Sequence, residues 1–486
     1  MEPEKIETVA NLAEQTKKGI DYKWLALLVV AIGTYMSTLD SSIVNISFPI
    51  LSNLFKTDPS TVLWVSLIYM LTIAGLMLTF GRIGDTIGRK RVYTLGFIVF
   101  SLGLALCSIS QSIIQLILFR VVQAVGSAMT LASGTAIIAA AFPVRERGKA
   151  LGIQGAVVGA GLMSGPALGG FLLDIFDWRA IFYLRLPVGV IGSIMAGLIL
   201  KEQRVQGHRG AFDYGGALTL FGGLVLLLLG VNRGQALGWS SAPILTLFAV
   251  SILLLGSFLA LERRVASPLV DLALFRNRLF AGSALSLNLS FVAYAAVTFL
   301  MPFYLMQAVG YSSAYAGLLL TTIPLMRLVV APVSGWLSDN IGSRFLCPVG
   351  LSLMSLALFL LGNLTINSPV IDVVLRLAIM GLGSGLFEPP NNSSIMGTAP
   401  TERLGTASAM ISTSRSVGMA TGLAIAGAVF ASRRLFYAAQ LAPLSLAPEV
   451  IQSKALVGGF HDALFVAAII CAAGILSSLI PANRGA

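Results

Sequence analysis

Residues 81–89 read Gly-Arg-Ile-Gly-Asp-Thr-Ile-Gly-Arg, and residues 335–344 repeat them in outline as Gly-Trp-Leu-Ser-Asp-Asn-Ile-Gly-Ser-Arg. Two further pairs share nearly the same separation of 254 to 257 positions, Arg120 with Arg376 and Gly161 with Gly418. Three matches at nearly one separation predict two halves that share an orientation. Parallel repeats of this kind are typical of membrane transporters, in which the substrate site lies between the halves near the middle of the bilayer.

The composition places both halves in a membrane. Hydrophobic residues make up 56% of the chain and charged residues 11%, against about 25% charged residues in soluble proteins. A mean hydropathy of +0.87 leaves too little polar surface for a water-soluble fold, which excludes soluble enzymes. The apolar runs are continuous and reach the roughly 18–20 residues that cross a bilayer, so an all-α membrane protein is predicted rather than a barrel. We expect fourteen spans, at residues 24–47, 62–80, 92–110, 113–140, 150–173, 181–200, 214–231, 242–262, 280–307, 313–337, 345–362, 370–396, 404–431 and 460–481.

The net charge of +11 follows the predicted topology. Of the 32 Lys and Arg residues, 21 lie in segments on the side of the N-terminus, 6 on the other side and 5 at membrane depth. The positive-inside rule therefore predicts cytoplasmic termini for a multi-pass protein of the cell (inner or plasma) membrane. Because topology accounts for the charge, we expect contact with membrane lipids and no nucleic-acid partner. We also expect a monomer.

The predicted organisation is two six-helix bundles with two extra helices inserted between them. The N-terminal 23 residues are polar and lack the apolar core of a cleavable signal peptide. The expected parts are a cytoplasmic tail at 1–23, a first bundle at 24–200, a linker with two extra helices and a connector at 201–278, a second bundle at 279–482, and a tail at 483–486. Residues 267–276 read as a short amphipathic connector, and the outer loop 432–459 is expected to be mobile.

Two charged residues stand inside apolar helices. Asp40 lies about two thirds of the way through helix 1, where a charge costs about 2.5–3.5 kcal/mol and is functional by default. Its carboxyl group can hold a proton in one conformation and release it in another. Arg120 in helix 4 stays charged at any relevant pH, so a movement that alters its distance from Asp40 would act as a proton switch. The alternatives are a structural ion pair for Asp40 and a topology-setting interfacial role for Arg120.

Two glycine-rich motifs indicate close helix packing. In the loop at 81–91, glycines let two helix ends approach, and Asp85 can accept hydrogen bonds at a helix terminus. In helix 5, residues 161–170 read Gly-Leu-Met-Ser-Gly-Pro-Ala-Leu-Gly-Gly, which places small residues on one face. Pro166 removes one backbone hydrogen bond and permits a bend. A topology-setting turn and ordinary membrane-helix packing are the simpler interpretations.

Together these motifs resemble the major facilitator superfamily, and in particular its fourteen-helix drug:proton antiporter-2 subfamily. The resemblance covers almost the whole chain after residue 23. It implies a proton-coupled exporter that works by alternating access on lipophilic or cationic drugs or other small amphiphiles. It implies no enzyme activity, no cofactor and no metal, and no Walker-type ATP site occurs in the sequence. The alternative function is export of an endogenous lipid, glycolipid or metabolite on the same scaffold.

The resemblance also implies residue roles. It assigns proton coupling to Asp40 and Arg120, and the chain departs from the family pattern at Thr86 and Ala124. The residues that would control the conformational change are Gly81, Asp85, Gly88, Arg89, Gly161, Gly165, Pro166, Gly169, Gly170 and Asp339.

Three further charges are unusual for the family. Glu388 in helix 12 and Arg327 in helix 10 either pair as a structural bridge, or Glu388 is a second proton or cation site. Arg185 stands where relatives usually carry Asn, and it either binds an anionic group or pairs near the outer surface. The position in the second half that corresponds to Asp40 is Ala293, so the repeat lacks a carboxylate there.

The predicted substrate cavity is mostly apolar with a few polar groups. The candidate lining residues are Asn45, Gln123, Asn288, Tyr294, Arg327, Phe387, Asn391 and Arg415. The three cysteines lie in apolar spans, and no cluster of Cys, His and carboxylates has the spacing of a metal site.

Overall fold

The computed structural model describes residues 21–143, 146–202, 213–265, 272–398, 404–444 and 447–480. Within these ranges, fourteen helical segments are long and apolar enough to cross a membrane, which confirms the predicted all-α membrane fold. The corresponding helices are α1 (Tyr22–Ile43), α2 (Trp64–Ile87), α3 (Arg89–Ser108), α4 (Ile113–Ala141), α5 (Arg147–Ile175), α6 (Leu186–Ile199), α7 (Tyr214–Leu237), α8 (Ala242–Glu262), α9 (Arg278–Phe303), α10 (Ser313–Leu320 and Thr322–Ile341), α11 (Ser343–Leu361), α12 (Val370–Thr398), α13 (Leu404–Leu441) and α14 (Pro448–Ser478).

Helices α1 to α6 form the first lobe, in which glycines bring helix backbones together. A Cβ placed on Gly103 of α3 would lie 2.4 Å from the Cα of Gln123 in α4. One placed on Gly126 of α4 would lie 2.2 Å from the backbone nitrogen of Phe100 in α3. Side chains larger than hydrogen therefore cannot stand at these crossings, and the tight contact fixes α4 beside the rest of the lobe.

Helices α9 to α14 form the second lobe, and it reuses the packing of the first. Gly161 of α5 packs against Thr38 of α1. In the second lobe, Gly418 of α13 packs against the carbonyl of Asn288 in α9. The sequence repeat thus corresponds to a repeat of helix contacts, with α5 on α1 and α13 on α9.

The inserted pair, α7 and α8, lies at the junction of the two lobes. The two helices pack on each other, and the Ser251 hydroxyl donates to the Gly223 carbonyl across that contact at 2.8 Å. Helix α7 also contacts α2 of the first lobe and α13 of the second. Its Asn232 is buried, accepts from Trp64 Nε1 at 3.0 Å and donates to the Ser60 carbonyl at 3.0 Å. Helix α7 is therefore anchored to the first lobe by specific polar contacts.

The structure corrects two expectations from hydropathy. The predicted loop at 432–459 is largely helical, because α13 continues to Leu441 and α14 begins at Pro448. Arg433 of α13 forms an ion pair with Asp462 of α14, so polar contacts extend these helices past their apolar spans. The first span continues to Leu54 through a 3₁₀ segment, Asn45–Ser47, just before Pro49. The proline lacks the backbone donor that an uninterrupted α-helix needs. Of the connector at 267–276, the structure describes a 3₁₀ segment, Leu272–Arg276.

The helix ends define two faces of the molecule. We call the face at which α2 meets α3 and α10 meets α11 the basic face. It is the side predicted to be cytoplasmic, where most of the Lys and Arg residues lie. The other face, where α5 ends and α10 begins, is called the opposite face.

Candidate functional site

Asp40 lies at the centre of a buried polar cluster in the first lobe. Its Oδ2 accepts from Arg120 Nη1 at 2.5 Å, and its Oδ1 accepts from Gln123 Nε2 at 2.8 Å. Arg120 Nη1 also lies 2.7 Å from Gln123 Oε1, so the three side chains form a closed network. Asp40, Arg120 and Gln123 are each 0% exposed. The predicted partners Asp40 and Arg120 are thus joined, while Gln123 supports this network rather than the substrate cavity.

Arg185 completes the cluster, because it pairs with the same carboxylate. Its Nη1 lies 2.6 Å from Asp40 Oδ1, and the side chain is 6% exposed. The Arg185 Nε donates to the Ile181 carbonyl at 2.5 Å. One carboxylate is therefore shared by two guanidinium groups, and the cluster carries one net positive charge inside the lobe.

The backbone and aromatic side chains of neighbouring helices hold Arg120 in place. Its Nε donates to the Val65 carbonyl of α2 at 3.0 Å, and its guanidinium lies 4.0 Å from the centre of the Tyr69 ring. Tyr69 in turn donates to Ser127 of α4 at 3.0 Å. Helices α1, α2, α4 and the start of α6 therefore meet at Asp40, so a change in its charge acts on four helices at once.

A central cavity of about 580 Å³, part of it open to solvent, separates the two lobes. Helix α1 contributes the polar residues Ser41 and Ser42, and the 3₁₀ segment after it contributes Asn45, whose Oδ1 accepts from Ser66 at 3.0 Å. Helix α9 contributes Tyr294 and Thr298. The rest of the lining is mainly apolar and comes from α5, α10 and α13, including Leu162, Leu320, Ile323 and Met419. Such a lining suits an amphiphilic molecule.

A small side cavity of about 220 Å³, part of it open to solvent, adjoins the central cavity in the second lobe, since Tyr294 lines both. Glu388 of α12 lines the side cavity and forms ion pairs with Arg327 of α10 and Arg415 of α13. Phe387 also lines it and is 1% exposed. We call Arg327, Glu388 and Arg415 the second-lobe triad. Like the Asp40 cluster, it joins one carboxylate to two guanidinium groups.

Two asparagines that were expected to line the cavity connect helices in this structure. Asn391 is 1% exposed and donates to the Ser283 carbonyl of α9 at 3.0 Å. Its Oδ1 accepts from Ser286 at 3.2 Å. The Asn288 amide donates to the Ser414 carbonyl of α13 at 3.1 Å. These bonds satisfy the amides within the second lobe, and a role in substrate binding stays a prediction.

The helix 5 motif packs against two different partners. Gly161, Gly165 and Gly169 face α1, and a Cβ on Gly165 would lie 1.9 Å from the Ser42 hydroxyl. Gly170 faces α10 in the other lobe, where a Cβ would lie 2.2 Å from the Ser313 carbonyl oxygen. Gly317 of α10 lies equally close to the Pro166 carbonyl, at 2.1 Å for an added Cβ. The motif therefore closes the gap between the lobes at the opposite face.

Along the same face of α5, the gap to the second lobe widens toward the basic face. A Cβ on Gly170 would be 2.2 Å from α10, whereas one on Gly159 would be 3.8 Å from Leu328. One on Gly155 would meet no heavy atom within 4 Å. At α5, the lobes thus touch at the opposite face and diverge toward the basic face.

Polar contacts reinforce the closed opposite face. Asp174, near the end of α5, accepts from the backbone nitrogens of Ser313 and Ala314 at 2.8 and 3.0 Å. A carboxylate at this helix N-terminus satisfies free N–H groups and complements the helix dipole. Gln307 donates to the Pro49 carbonyl at 3.3 Å and to Asn53 at 3.2 Å. One lobe thereby caps a helix of the other.

Replacing Asp174 with alanine is expected to loosen the closed opposite face. Loss of a capping residue costs about 0.5–2 kcal/mol, typically about 1 kcal/mol, which is about fivefold in the equilibrium between closed and open. Disulfide cross-linking between Asn53→Cys and Gln307→Cys, in a background without the three native cysteines, measures that equilibrium. The control is Asp177→Ala, which removes contacts with Trp178 and Arg179 of the same lobe. Equal cross-linking in the Asp174→Ala and control proteins would contradict this role.

The loop motif is held within the first lobe in this conformation. Arg89 pairs with Asp85 at 2.8 Å and donates to the Ala136 carbonyl of α4 at 3.2 Å. Gly88 has a φ of 115°, and a Cβ there would lie 2.1 Å from the Glu202 carboxylate, so only glycine fits. A Cβ on Gly81 would meet no atom within 4 Å. The side chain of Asp339, the counterpart in the second half, lies outside the described part of the chain.

The described ranges contain no group of three His, Cys, Asp or Glu side chains that could hold a metal ion. The interactions that the described residues make at Asp40 and Glu388 are ion pairs with arginines.

Comparison with known proteins identifies the family. The model of the Major Facilitator Superfamily matches residues 30–423 and 283–482. The chain belongs to the major facilitator superfamily. Solved structures agree on the fold. This chain is similar to a bacterial homologue of the human lysosomal transporter Spinster in an inward-facing, unoccupied conformation. The TM-score is 0.68 at 16% identity, over 95% of this chain and 98% of that one.

Relatives at higher identity are named as transporters. This chain is 37% identical to the riboflavin transporter RibZ of Clostridioides difficile, over 84% of this chain and 88% of that protein. It is 31% identical to the multidrug resistance protein Stp of Mycobacterium tuberculosis, over 84% and 76%. It is 30% identical to a tetracenomycin C resistance and export protein of Streptomyces glaucescens, over 84% and 76%. These relatives are transporters rather than enzymes.

Proposed function

We propose that this protein is a proton-coupled exporter that moves amphiphilic small molecules across the cell membrane by alternating access. The observation that carries the proposal is the buried Asp40, which is shared by Arg120 and Arg185. In this proposal the basic face is the cytoplasmic side, both termini are cytoplasmic, and the arrangement in which α5 touches α10 at the opposite face is an inward-facing state. The transporter works as a monomer in contact with membrane lipids and needs no cofactor.

The electrostatics of the Asp40 cluster link proton binding to conformation. Protonation of Asp40 removes the only carboxylate that contacts both guanidinium groups among the described residues. Breaking a buried ion pair by removing one partner costs about 3–5 kcal/mol. The protein avoids that cost by moving α1 relative to α4 and α6, which gives the guanidinium groups other partners. A proton taken up from outside therefore favours a different arrangement of the lobes.

The proton gradient supplies enough energy for export. Moving one charge through the membrane potential releases about 2.3 kcal/mol per 100 mV, and a tenfold concentration ratio requires about 1.4 kcal/mol. Glu388 is the second candidate for the proton site, because among the described residues it is the other carboxylate shared by two arginines.

Export of toxic amphiphiles is supported by the helix 5 motif and by relatives named for multidrug resistance and tetracenomycin C export. A second candidate substrate class is an endogenous lipid, glycolipid or metabolite. The 37% identity to a riboflavin transporter over 84% of the chain favours this class. Both classes fit the mainly apolar central cavity with its polar groups from α1 and α9.

Uptake into everted membrane vesicles tests the function. Vesicles with an acidic interior are expected to accumulate substrate. Vesicles treated with a protonophore, which collapses the pH gradient, are not. The compound panel contains ethidium, an aromatic polyketide and radiolabelled riboflavin, so that the two substrate classes are compared directly. Accumulation that persists after the gradient is collapsed would contradict proton coupling. Accumulation of riboflavin alone would decide for the metabolite class.

A further inference from the structure

The charges beside the central cavity do not balance. Arg327 and Arg415 both pair with Glu388, so the second-lobe triad carries one net positive charge. Glu388 is the buried member of the triad, because its side chain is only 7% exposed. The arginine side chains are 23% and 35% exposed. The two arginines are therefore the more exposed members of the triad, and Arg327 lines the side cavity that adjoins the central cavity.

Helix geometry places both arginines at the side of the cavity that faces the basic face. On α10, Arg327 follows Ile323 by one turn, and Ile323 lines the central cavity. On α13, Arg415 precedes Met419 by one turn, and Met419 also lines it. Residues four apart share a helix face. Because α10 runs toward the basic face and α13 runs away from it, both arginines lie one turn nearer to that face than the cavity lining does.

The described lining offers no free carboxylate for a cationic substrate. No acidic residue is among those that line the central cavity, and Glu388 is the one that lines the side cavity. Asp40 is 0% exposed and already shared by two arginines. The Phe291 ring, which could stack on a cation, lies 5.6 Å from the Arg415 guanidinium. A cation in this region would be repelled by the surplus positive charge.

Arg415 retains hydrogen-bonding capacity. Its side chain is 35% exposed, and its Nε, a buried atom, has no hydrogen-bond partner among the described residues. A guanidinium group binds carboxylate and phosphate oxygens through two parallel N–H donors, and these charge-assisted bonds are about twice as strong as neutral ones. An acidic group bound there would neutralise the surplus charge of the triad.

We propose that the substrate carries an acidic group, a carboxylate or a phosphate-type anion, which binds to Arg327 and Arg415 while its apolar body occupies the central cavity. The inference rests on the proposed function for the direction of transport, but the binding site itself does not depend on proton coupling. Glu388 is then a positioning residue, which holds the two arginines from α10 and α13 together. This substrate class differs from the lipophilic cations that the family resemblance implies.

Binding of three matched naphthalenes to the full-length protein in zwitterionic nanodiscs tests the proposal. The probes are 1-naphthylacetate, its neutral amide 1-naphthylacetamide and the cation 1-naphthylmethylammonium, each measured by equilibrium dialysis. We expect the acid to bind at least about tenfold more tightly than the amide, and the cation to bind least tightly. A cation that binds as tightly as the acid would overturn the proposal.

Variants separate charge recognition from general damage to the cavity. Arg415→Gln is expected to lower the affinity for the acid about tenfold, and that for the amide less than about twofold. Arg415→Lys keeps the charge and is expected to recover part of the loss. The matched control is Arg433→Gln, at an ion pair with Asp462 outside the two cavities. Equal loss of acid and amide affinity in Arg415→Gln, with normal folding, would contradict a charge-specific contact.

Two further comparisons distinguish the outcomes. Nanodiscs that contain phosphatidylglycerol are expected to lower the apparent affinity for the acid if a lipid phosphate is the natural ligand. Unchanged affinity identifies a free acid instead, and both results support an anion site. If the acid preference holds but no proton is exchanged, the proposed proton coupling fails and the anion site stands. If protons are exchanged with a cationic substrate and the acid does not bind, the anion site fails and the coupling stands.

Discussion

Asp40→Asn is expected to abolish proton-driven accumulation of substrate, by at least about tenfold, while substrate binding changes less than about threefold. The amide keeps the shape of the side chain but cannot take up and release a proton. The substrate cavity is not lined by Asp40, which is buried with Arg120 inside the first lobe. Uptake into everted vesicles measures the coupling, and dialysis in nanodiscs measures the binding.

A charge-balanced double variant protects this test against misfolding. Asp40→Asn alone leaves Arg120 and Arg185 without their shared carboxylate, which raises the net charge of the cluster from one to two. The double variant Asp40→Asn with Arg185→Gln restores a net charge of one and still lacks the carboxyl group. We expect it to fold and to remain uncoupled. Proton-driven accumulation by this double variant would exclude Asp40, and loss of accumulation in Glu388→Gln alone would then assign the proton to the second lobe.

Gly170→Val is expected to prevent closure of the opposite face and to reduce transport by at least about tenfold. A Cβ at this position would lie 2.2 Å from the Ser313 carbonyl oxygen, so the backbones of α5 and α10 must separate. The closed state then loses the contacts that Asp174 makes with α10. A tenfold shift in the population of this state corresponds to about 1.4 kcal/mol, which is modest for a backbone clash.

Cross-linking and a matched glycine make the Gly170 result interpretable. The Asn53→Cys and Gln307→Cys pair is expected to cross-link less in the Gly170→Val protein, because Gln307 contacts Asn53 across the lobes in the closed arrangement. The control is Gly256→Val in α8, where an added Cβ meets no heavy atom within 4 Å. Both variants place the same side chain in a membrane helix. Equal effects of the two variants would mean that the loss comes from helix propensity and not from the lobe contact.

The sequence was sufficient for the architecture because the bilayer imposes strong rules on it. Long apolar runs predicted fourteen spans, and the repeat of Gly81–Arg89 predicted two parallel halves. Hydropathy failed where helices leave the apolar region. Arg433 lies near the start of the segment at 432–459 and Asp462 lies just beyond its end, and these residues pair between α13 and α14. Apolarity locates the part of a helix inside the membrane, whereas the helix itself ends where its polar contacts end.

The candidate site was predicted in part. Asp40 and Arg120 stood out because isolated charges are rare in apolar helices, but nothing local indicated that Arg185 would share the same carboxylate. The residues lie 80 and 145 positions from Asp40 along the chain, so only the packing of α6 against α1 reveals the contact. The repeat predicted no carboxylate at Ala293, and the second-lobe carboxylate comes from a different helix, α12, through Glu388.

Contacts between the lobes were the hardest features to predict. Gly317 was not singled out, because one glycine in an apolar helix has many possible packing roles. Asp174 was overlooked because an acidic residue near the end of a span is common at an interface. Its function appears only when the N-terminus of α10 is placed beside it. Two sequence features could have indicated this contact. One is a Ser residue that begins α10, and the other is a carboxylate, Asp174, without a basic residue beside it.

Substrate-dependent proton release from the purified protein tests the central claim most directly. The full-length protein in weakly buffered detergent solution, at a pH where it holds its proton, is titrated with substrate while the pH is recorded. We expect substrate to displace about one proton from each wild-type molecule and none from the charge-balanced Asp40→Asn, Arg185→Gln protein. Substrate that binds to the wild-type protein without any proton release, at every pH tested, would contradict proton-coupled antiport.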